Sequence, residues 1–295
     1  MPVIEARGLR KQFGKTVALD GIDLQVEAGR ILGLIGPNGA GKSTALHAIL
    51  GLIPCEGRLE VLACDPWTER GRLMSDVAFI TDVAVLPRWM QVRQAFDFVA
   101  GVHPHFHRAR AEYFLARTSI SRDSKIRELS KGMVAQLHLA LILSIDAKLL
   151  VLDEPTLGLD LPFRKQFYDS LLNDYCDGRR TILVATHHVD EIENILTDVL
   201  FLDRGRVVFG CNMEEVESRY SEVLLNPENL WAARALRPVH ERLALGRGVF
   251  LFDGVPRRQL AELGDVRTPS LADLFVALMN PQVGSNDRAR EGARW

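Results

Sequence analysis

Residues 31–52 read ILGLIGPNGAGKSTALHAILGL, and the folding of that stretch decides the rest. Ile31 to Ile35 make a short continuous apolar run, as a fully buried strand does. Gly36 to Gly41 break it as a loop. From Lys42 onward Ala45, Leu46, Ile49 and Leu50 recur at helical spacing until Gly51 stops the helix. The whole fits the pattern G-x-x-x-x-G-K-[ST] in a strand–loop–helix setting. The chemistry of a polyphosphate explains these residue types. Glycines let successive backbone N–H groups turn inward on it, and the helix N-terminus adds partial positive charge. Gly36, Pro37, Asn38, Gly39, Ala40, Gly41, Lys42, Ser43 and Thr44 are therefore expected to hold a nucleoside triphosphate. Lys42 would reach its β- and γ-phosphates, and the Ser43 hydroxyl would ligate Mg²⁺. A glycine turn before an ordinary helix would not need all of these positions, and here all are filled.

Outward from the loop, residues 1 to about 35 read as short strands with a turn at Gly14-Lys15, and strand-like pieces follow to about Ile80. From about Pro87 to Ser144 the pattern becomes helical, in WMQVRQAFDFVAGV, RARAEYFLART and MVAQLHLALILSI. Strands return at LLVLD (149–153) and TILVAT (181–186), with a helix from about Leu161 to Cys176 between them. Residues 199–210 read as a hairpin turning at Arg204-Gly205. This predicts an α/β core with a helical block, about 83–145, inserted between its halves. After Gly210 the character changes. PRRQLAEL and SLADLFVALM around a strand-like VFLF at 249–252 predict a small accessory α+β domain over 211–280, followed by a polar, disordered tail at 281–295. A chain stopped near Gly210 is expected still to bind nucleotide, losing the extension together with its own small core.

A second signal is LLVLDEPTLGLD, 149–160. An apolar strand ending in Asp153-Glu154 delivers a carboxylate to the metal, Asp153 acting through water. Glu154, one residue on, is placed to polarise the water that attacks the γ-phosphate. Read alone, the stretch is equally a buried strand followed by a charged turn; beside an intact phosphate loop the chemical reading is the stronger. The third signal, ELSKGMVAQLHLALIL, begins about 20 residues before that strand. Here the chain resembles the ATP-binding cassette (ABC) family, whose signature is usually LSGGQ. Leu129, Ser130 and Gly132 match, whereas Lys131 and Met133 depart. The resemblance covers residues 3 to about 210. It implies the P-loop NTPase ABC cassette: a RecA-like core with an N-terminal antiparallel β part and an inserted helical subdomain, over 1–210. It also implies that ATP and Mg²⁺ are bound and that ATP is hydrolysed. Ser130 and the backbone of Gly132 make a phosphate-binding cap at a helix N-terminus, which in the family meets the phosphate loop of a second protomer. Ser130 is also a good helix-capping residue in its own right.

Other family positions follow. Phe13, in KQFGK, falls where the family stacks an aromatic on adenine; alone it is equally a core residue. Asp160 ends a segment like the family's D-loop, which crosses the dimer interface. His187, in ATHHVDEIE, matches the switch histidine that contacts the γ-phosphate, and its neighbour His188 reads as incidental. Asp82 stands where the family usually has Gln, sometimes Glu. Being one methylene shorter and charged, it would reach Mg²⁺ through a water, which puts in doubt the coupling between nucleotide and the helical block.

With 47% hydrophobic and 25% charged residues, the composition is that of an ordinary soluble protein. A net charge of −2 gives no broad basic footprint, so no nucleic-acid partner is expected. Cys55, Cys64, Cys176 and Cys211 are scattered, without a C-x-x-C pair, which argues against a zinc site and fits reduced cytosolic thiols. MPVIEARGLR predicts no secretory leader, and LALILSI at 139–145 is too short to span a bilayer. The sequence has neither the long coiled coil of chromosome ATPases nor the two cassettes of translation-factor members, and it lacks the N-K-x-D guanine-reading motif. The resemblance then implies the ATPase subunit of a transporter: a dimer of cassettes, cytoplasmic and peripheral on the inner face of the membrane, driving a separate polytopic permease. Val83-Ala84-Val85-Leu86 and Trp89 either dock that permease or are core. LSKGM and the ending SLADLFVAL resemble bacterial ABC-2-type exporters. The alternative is a non-transport regulatory ABC ATPase acting on a soluble protein. HPHFH, 103–107, reads as a loop entering a helix rather than as a metal site.

Overall fold

The computed structural model describes residues 2–80, 86–157, 159, 161–175, 178–244 and 246–279. β1 (Pro2–Phe13) and β2 (Thr16–Glu27) pair antiparallel across the Gly14-Lys15 turn. They are twelve residues long rather than short, because register shifts around Gly8 and Gly21 absorb the glycines that interrupt the strand pattern. β3 (Ile31–Ile35), α1 (Lys42–Ile49), β4 (Glu56–Val61), α2 (Arg70–Leu73) and β5 (Val77–Ile80) follow. The helical block is α3 (Val92–Val102), α4 (Arg108–Ala116) and α5 (Lys131–Ile142), closed around Phe96, Ala111, Leu115, Leu137 and Leu141. The chain returns through β6 (Leu149–Asp153) and α6 (Leu161–Ser170), the latter continuing as a π turn over Leu171–Tyr175. Then come β7 (Thr181–Thr186), α7 (Val189–Ile192) and the hairpin of β8 (Asp198–Asp203) and β9 (Arg206–Asn212).

A six-stranded sheet in the order β5-β6-β7-β3-β8-β9 forms the centre, parallel except for β9. β3, β6 and β7 are buried end to end, so their apolar runs are continuous rather than alternating. Their side chains still divide by face. Leu32, Leu34, Val151 and Leu183 pack with α1 and the β1–β2 pair, while Ile35, Leu152, Ile182 and Val184 pack with α6. The sheet order β2-β1-β4 makes the N-terminal antiparallel part.

Beyond β9 come α8 (Met213–Arg219), β10 (Tyr220–Leu225), α9 (Leu230–Ala235), β11 (His240–Ala244) and β12 (Arg247–Asp253). α10 (Arg257–Ala261), β13 (Gly264–Arg267) and α11 (Leu271–Met279) complete the described chain. The four strands form a second sheet, ordered β11-β12-β10-β13, over a small cluster including Val223, Leu225, Phe250 and Phe252. Besides that small cluster, the extension is tied to the main core. Leu271, Leu274 and Ala277 of α11 are buried in the main core, and Phe275 meets Phe201 of β8 edge-on at 5.1 Å. The Leu271 N–H also donates to Glu193 Oε1 at 2.9 Å. A cut at Gly210 therefore uncovers Phe201 and shortens β9. Leu274→Ala is expected to destabilise the whole chain by about 2–5 kcal/mol in urea unfolding. A wild-type midpoint would make α11 a loose appendage.

Candidate functional site

Ligands of parallel sheets sit beyond the carboxyl ends of the strands. In this sheet Ile35 lies opposite Thr186, and Asp153 opposite Ala185. Three strand ends therefore finish at one level, and they carry the Gly36 loop, the Asp153-Glu154 pair and His187. Two glycines of the loop are required by close packing. A Cβ on Gly36 would lie 2.3 Å from the Leu202 carbonyl oxygen. Gly41, at φ 107°, would put one 2.5 Å from that of Ala18. The loop is also held from outside, since Gly205 N–H, in the β8–β9 turn, donates to Ala40 O at 2.8 Å.

Lys42 is buried, and its Nζ donates to Gly36 O at 2.7 Å and to Pro37 O at 3.3 Å. The same ammonium lies 3.5 Å from Glu154 Oε1. Glu154 adopts φ 45°, a left-handed conformation that costs a non-glycine residue about 1–3 kcal/mol and that clusters at functional sites. Its Oε2 accepts from Thr186 Oγ1 at 3.0 Å, and its Oε1 lies 2.8 Å from His187 Nδ1. Burial pushes the Glu154 carboxyl up, but the His187 and Thr186 hydrogen bonds and the Lys42 charge together hold it below the ordinary glutamate value. Glu154 is thus ionised at neutral pH and can only accept, so His187 Nδ1–H is the donor and Nε2 is left for a ligand.

Ser43 is exposed at the first turn of α1, and Asp153 is buried at the end of β6. A hydroxyl and a carboxylate are hard oxygen donors suited to Mg²⁺, which takes its remaining ligands from phosphate and water. No group of three His, Cys, Asp or Glu side chains that could hold a metal occurs among the described residues. Phe13 is 51% exposed, which removes its core alternative. Lys11 Nζ lies 5.2 Å from its ring centroid. Phe13 closes the β1–β2 hairpin close to Ala18, the residue against which Gly41 packs. Ser130 is exposed and caps α5, its Oγ accepting from Met133 N–H at 3.2 Å, so the hydroxyl hydrogen is not used by that bond. Gly132, the second residue of α5, lies in its first turn beside the Phe163 ring. Asp82 and Asp160 lie outside the described residues.

Val83, Ala84 and Val85 also lie outside them. Leu86 packs on the helical-block core, and Trp89 is 68% exposed. In HPHFH, burial lowers the His103 pKa, and the neutral ring donates from Nε2 to Val77 O at 3.3 Å while Nδ1 accepts from His105 N–H. The loop is pinned to β5. His188, read as incidental, lies against His187 with ring centroids 3.9 Å apart. Sequence reading missed Thr186, whose signal was a hydroxyl closing the carboxyl end of a buried strand. It also missed Gly205, whose contact with Ala40 has no local signature.

A solved ATP-binding subunit of an ABC transporter shares the fold, with a TM-score of 0.66 and 23% identity over 73% of this chain and 92% of that one. Residues 19–157 match the ABC transporter family. The daunorubicin resistance ATP-binding protein DrrA3 of Streptomyces coeruleorubidus is 32% identical over 98% of both chains. The chain is an ATP-binding subunit of the ABC transporter family. The Nod factor export ATP-binding protein I of Cupriavidus pinatubonensis is 30% identical over 94% of this ABC subunit and 90% of its own length. The ABC subunit is accordingly an ATPase that binds and hydrolyses ATP as part of a transporter. No helix among its described residues is long and apolar enough to cross a membrane.

Proposed function

We propose that two copies of this ABC subunit form an ATP-driven clamp that works a separate polytopic membrane permease, in the direction of export. Each ATP would lie between the phosphate loop of one copy and the Ser130–Gly132 cap of the other. The observation that carries this reading is the Lys42–Glu154–His187 cluster at the ends of three neighbouring strands. Lys42 would hold the β- and γ-phosphates. Ionised Glu154 would take a proton from the attacking water. His187, held on Glu154 through Nδ1–H, would present Nε2 to the γ-phosphate and donate to it as the imidazolium, the form in which both ring nitrogens carry hydrogen. Ser43 and Asp153 would hold Mg²⁺, with Asp82 reaching it through water; the metal supplies charge neutralisation at the phosphate oxygens. Phe13 would stack on adenine, and Asp160 would cross to the partner. Export is favoured by the relatives, one named for daunorubicin resistance and one for Nod factor export.

Docking would place the subunit on the inner face of the membrane, and Trp89 on the helical block is an exposed aromatic of the kind that anchors interfaces. Affinity purification of the full chain from detergent-solubilised cells is expected to bring down a polytopic membrane protein, and Trp89→Ala to weaken that capture. Recovery of a soluble partner alone would favour the regulatory ATPase instead.

A further inference from the structure

Behind Glu154 runs a polar chain, from buried Thr156 to half-buried Glu191 and Arg164, that none of the steps above uses. The backbone after Glu154 turns tightly, with Leu157 N–H donating to Glu154 O at 3.0 Å and Leu159 N–H to Thr156 O at 3.1 Å. Thr156 is 1% exposed, and its hydroxyl donates to Glu191 Oε2 at 2.8 Å. The other oxygen of Glu191 accepts from Arg164 Nη1 at 2.5 Å, and Arg164 Nε donates to Leu159 O at 2.7 Å. Glu191 belongs to α7, four residues past His187, and Arg164 to α6. The loop that follows Glu154 is thus fastened at Thr156 and at Leu159 to the segment that follows His187. A planar guanidinium fork suits this task, since its donors are fixed relative to each other.

The strain at Glu154 makes such fastening necessary. A left-handed glutamate persists only where its surroundings over-determine it. We infer that Arg164 and Glu191 are positioning residues for hydrolysis, which hold the Glu154 loop and the His187 segment in one arrangement so that the two side chains stay hydrogen-bonded. They act through Glu154 rather than on the nucleotide. This rests on the reading of Glu154 as the base.

The test uses the full chain, with kcat, KM for ATP, ATP affinity and thermal midpoint measured for each variant. Arg164→Met is expected to lower kcat at least tenfold while KM and affinity change less than twofold. Arg164→Lys, which keeps the charge and reaches one of the two acceptors, should recover part of that loss. Thr156→Val, which frees the loop but leaves the Arg164–Glu191 pair, should lose several-fold in the same pattern. Added to Glu154→Gln, Arg164→Met should lower the residual single-turnover rate no further, because both act through one carboxylate. A wild-type kcat in folded Arg164→Met and Thr156→Val would overturn the inference. So would a loss seen in KM or affinity, or a full additional loss beside Glu154→Gln. Should Arg164→Met not fold, Arg164→Lys and Thr156→Val decide by the same split. If Glu154→Gln is inactive and these variants are normal, the brace alone fails; if Glu154→Gln itself turns over normally, the base assignment fails and the brace falls with it.

Discussion

Glu154→Gln is expected to stop turnover and leave ATP bound. The amide keeps the shape of the side chain, and its oxygen can still accept from the Thr186 hydroxyl. What it loses is the ability to take a proton. General-base catalysis contributes about 10²–10⁴ in rate, and turnover should fall by that order. Binding should persist, because Lys42 keeps its contacts to Gly36 O and Pro37 O when the ion pair is gone. The pH dependence follows from the same contacts. Two hydrogen bonds and one cation hold the Glu154 carboxyl low against the push of burial. A depressed carboxyl pKa contributes stability above the unfolded value of about 4.3, lost as pH falls through the folded value. Glu154 should therefore stay ionised, and the base ready, to lower pH than an ordinary glutamate would. Rapid-quench measurement of one turnover, beside equilibrium ATP binding, checks both halves. A Gln variant that hydrolyses ATP at the parental rate would remove Glu154 from the chemistry.

Two differently broken chains should rescue one another. Lys42→Ala removes the buried ammonium among the loop carbonyls, so that chain should lose nucleotide affinity. Ser130→Arg puts a long cation into the cap. Ser130 is exposed, so the larger side chain fits in solvent, and the lost helix cap costs only about 1 kcal/mol. Neither variant can close two sites as a homodimer. A mixed dimer carries both lesions in one site and none in the other, where an intact Lys42 loop faces an intact Ser130 cap. In a Glu154→Gln background, size-exclusion chromatography with ATP should show monomers for each variant alone and partial dimer on mixing. Partial is the expected extent, since one site of two is restored. No dimer on mixing, while the Glu154→Gln parent dimerises, would leave Ser130 as a helix cap for its own chain.

How much could be read without coordinates depended on whether the physics was local. The phosphate loop was legible because its motif lies within a dozen residues, although the remote Leu202 and Ala18 carbonyls that demand its glycines were not, and β3 because both its faces are covered. The Arg204-Gly205 hairpin was legible from its turn residues. β1 and β2 looked short because Gly8 and Gly21 broke the alternation, and only pairing shows that they occupy bulges. The second sheet was harder still. β10 is almost wholly buried although it contains Ser221 and Glu222, and Glu222 is held by Arg242 and Arg267, far along the chain. No window of sequence shows that a buried glutamate has partners twenty and forty-five residues away. At the site, the motifs gave Lys42, Glu154 and His187. The tautomer of His187 and the left-handed Glu154 needed three dimensions.

The seating of α11 against β8 bears on how such chains can be recombined. Phe275 and Leu274 complete a surface whose other half, Phe201, lies more than seventy residues before them in the chain, and the amide of Leu271 is received by Glu193. A crossover at Gly210 that joined this extension to a foreign cassette would separate both halves of that fit. Portable exchange would require the donor cassette to bring an aromatic at the Phe201 position and an acceptor at the Glu193 position. The two parts are therefore expected to be inherited together, as a matched pair rather than as interchangeable cassettes and tails.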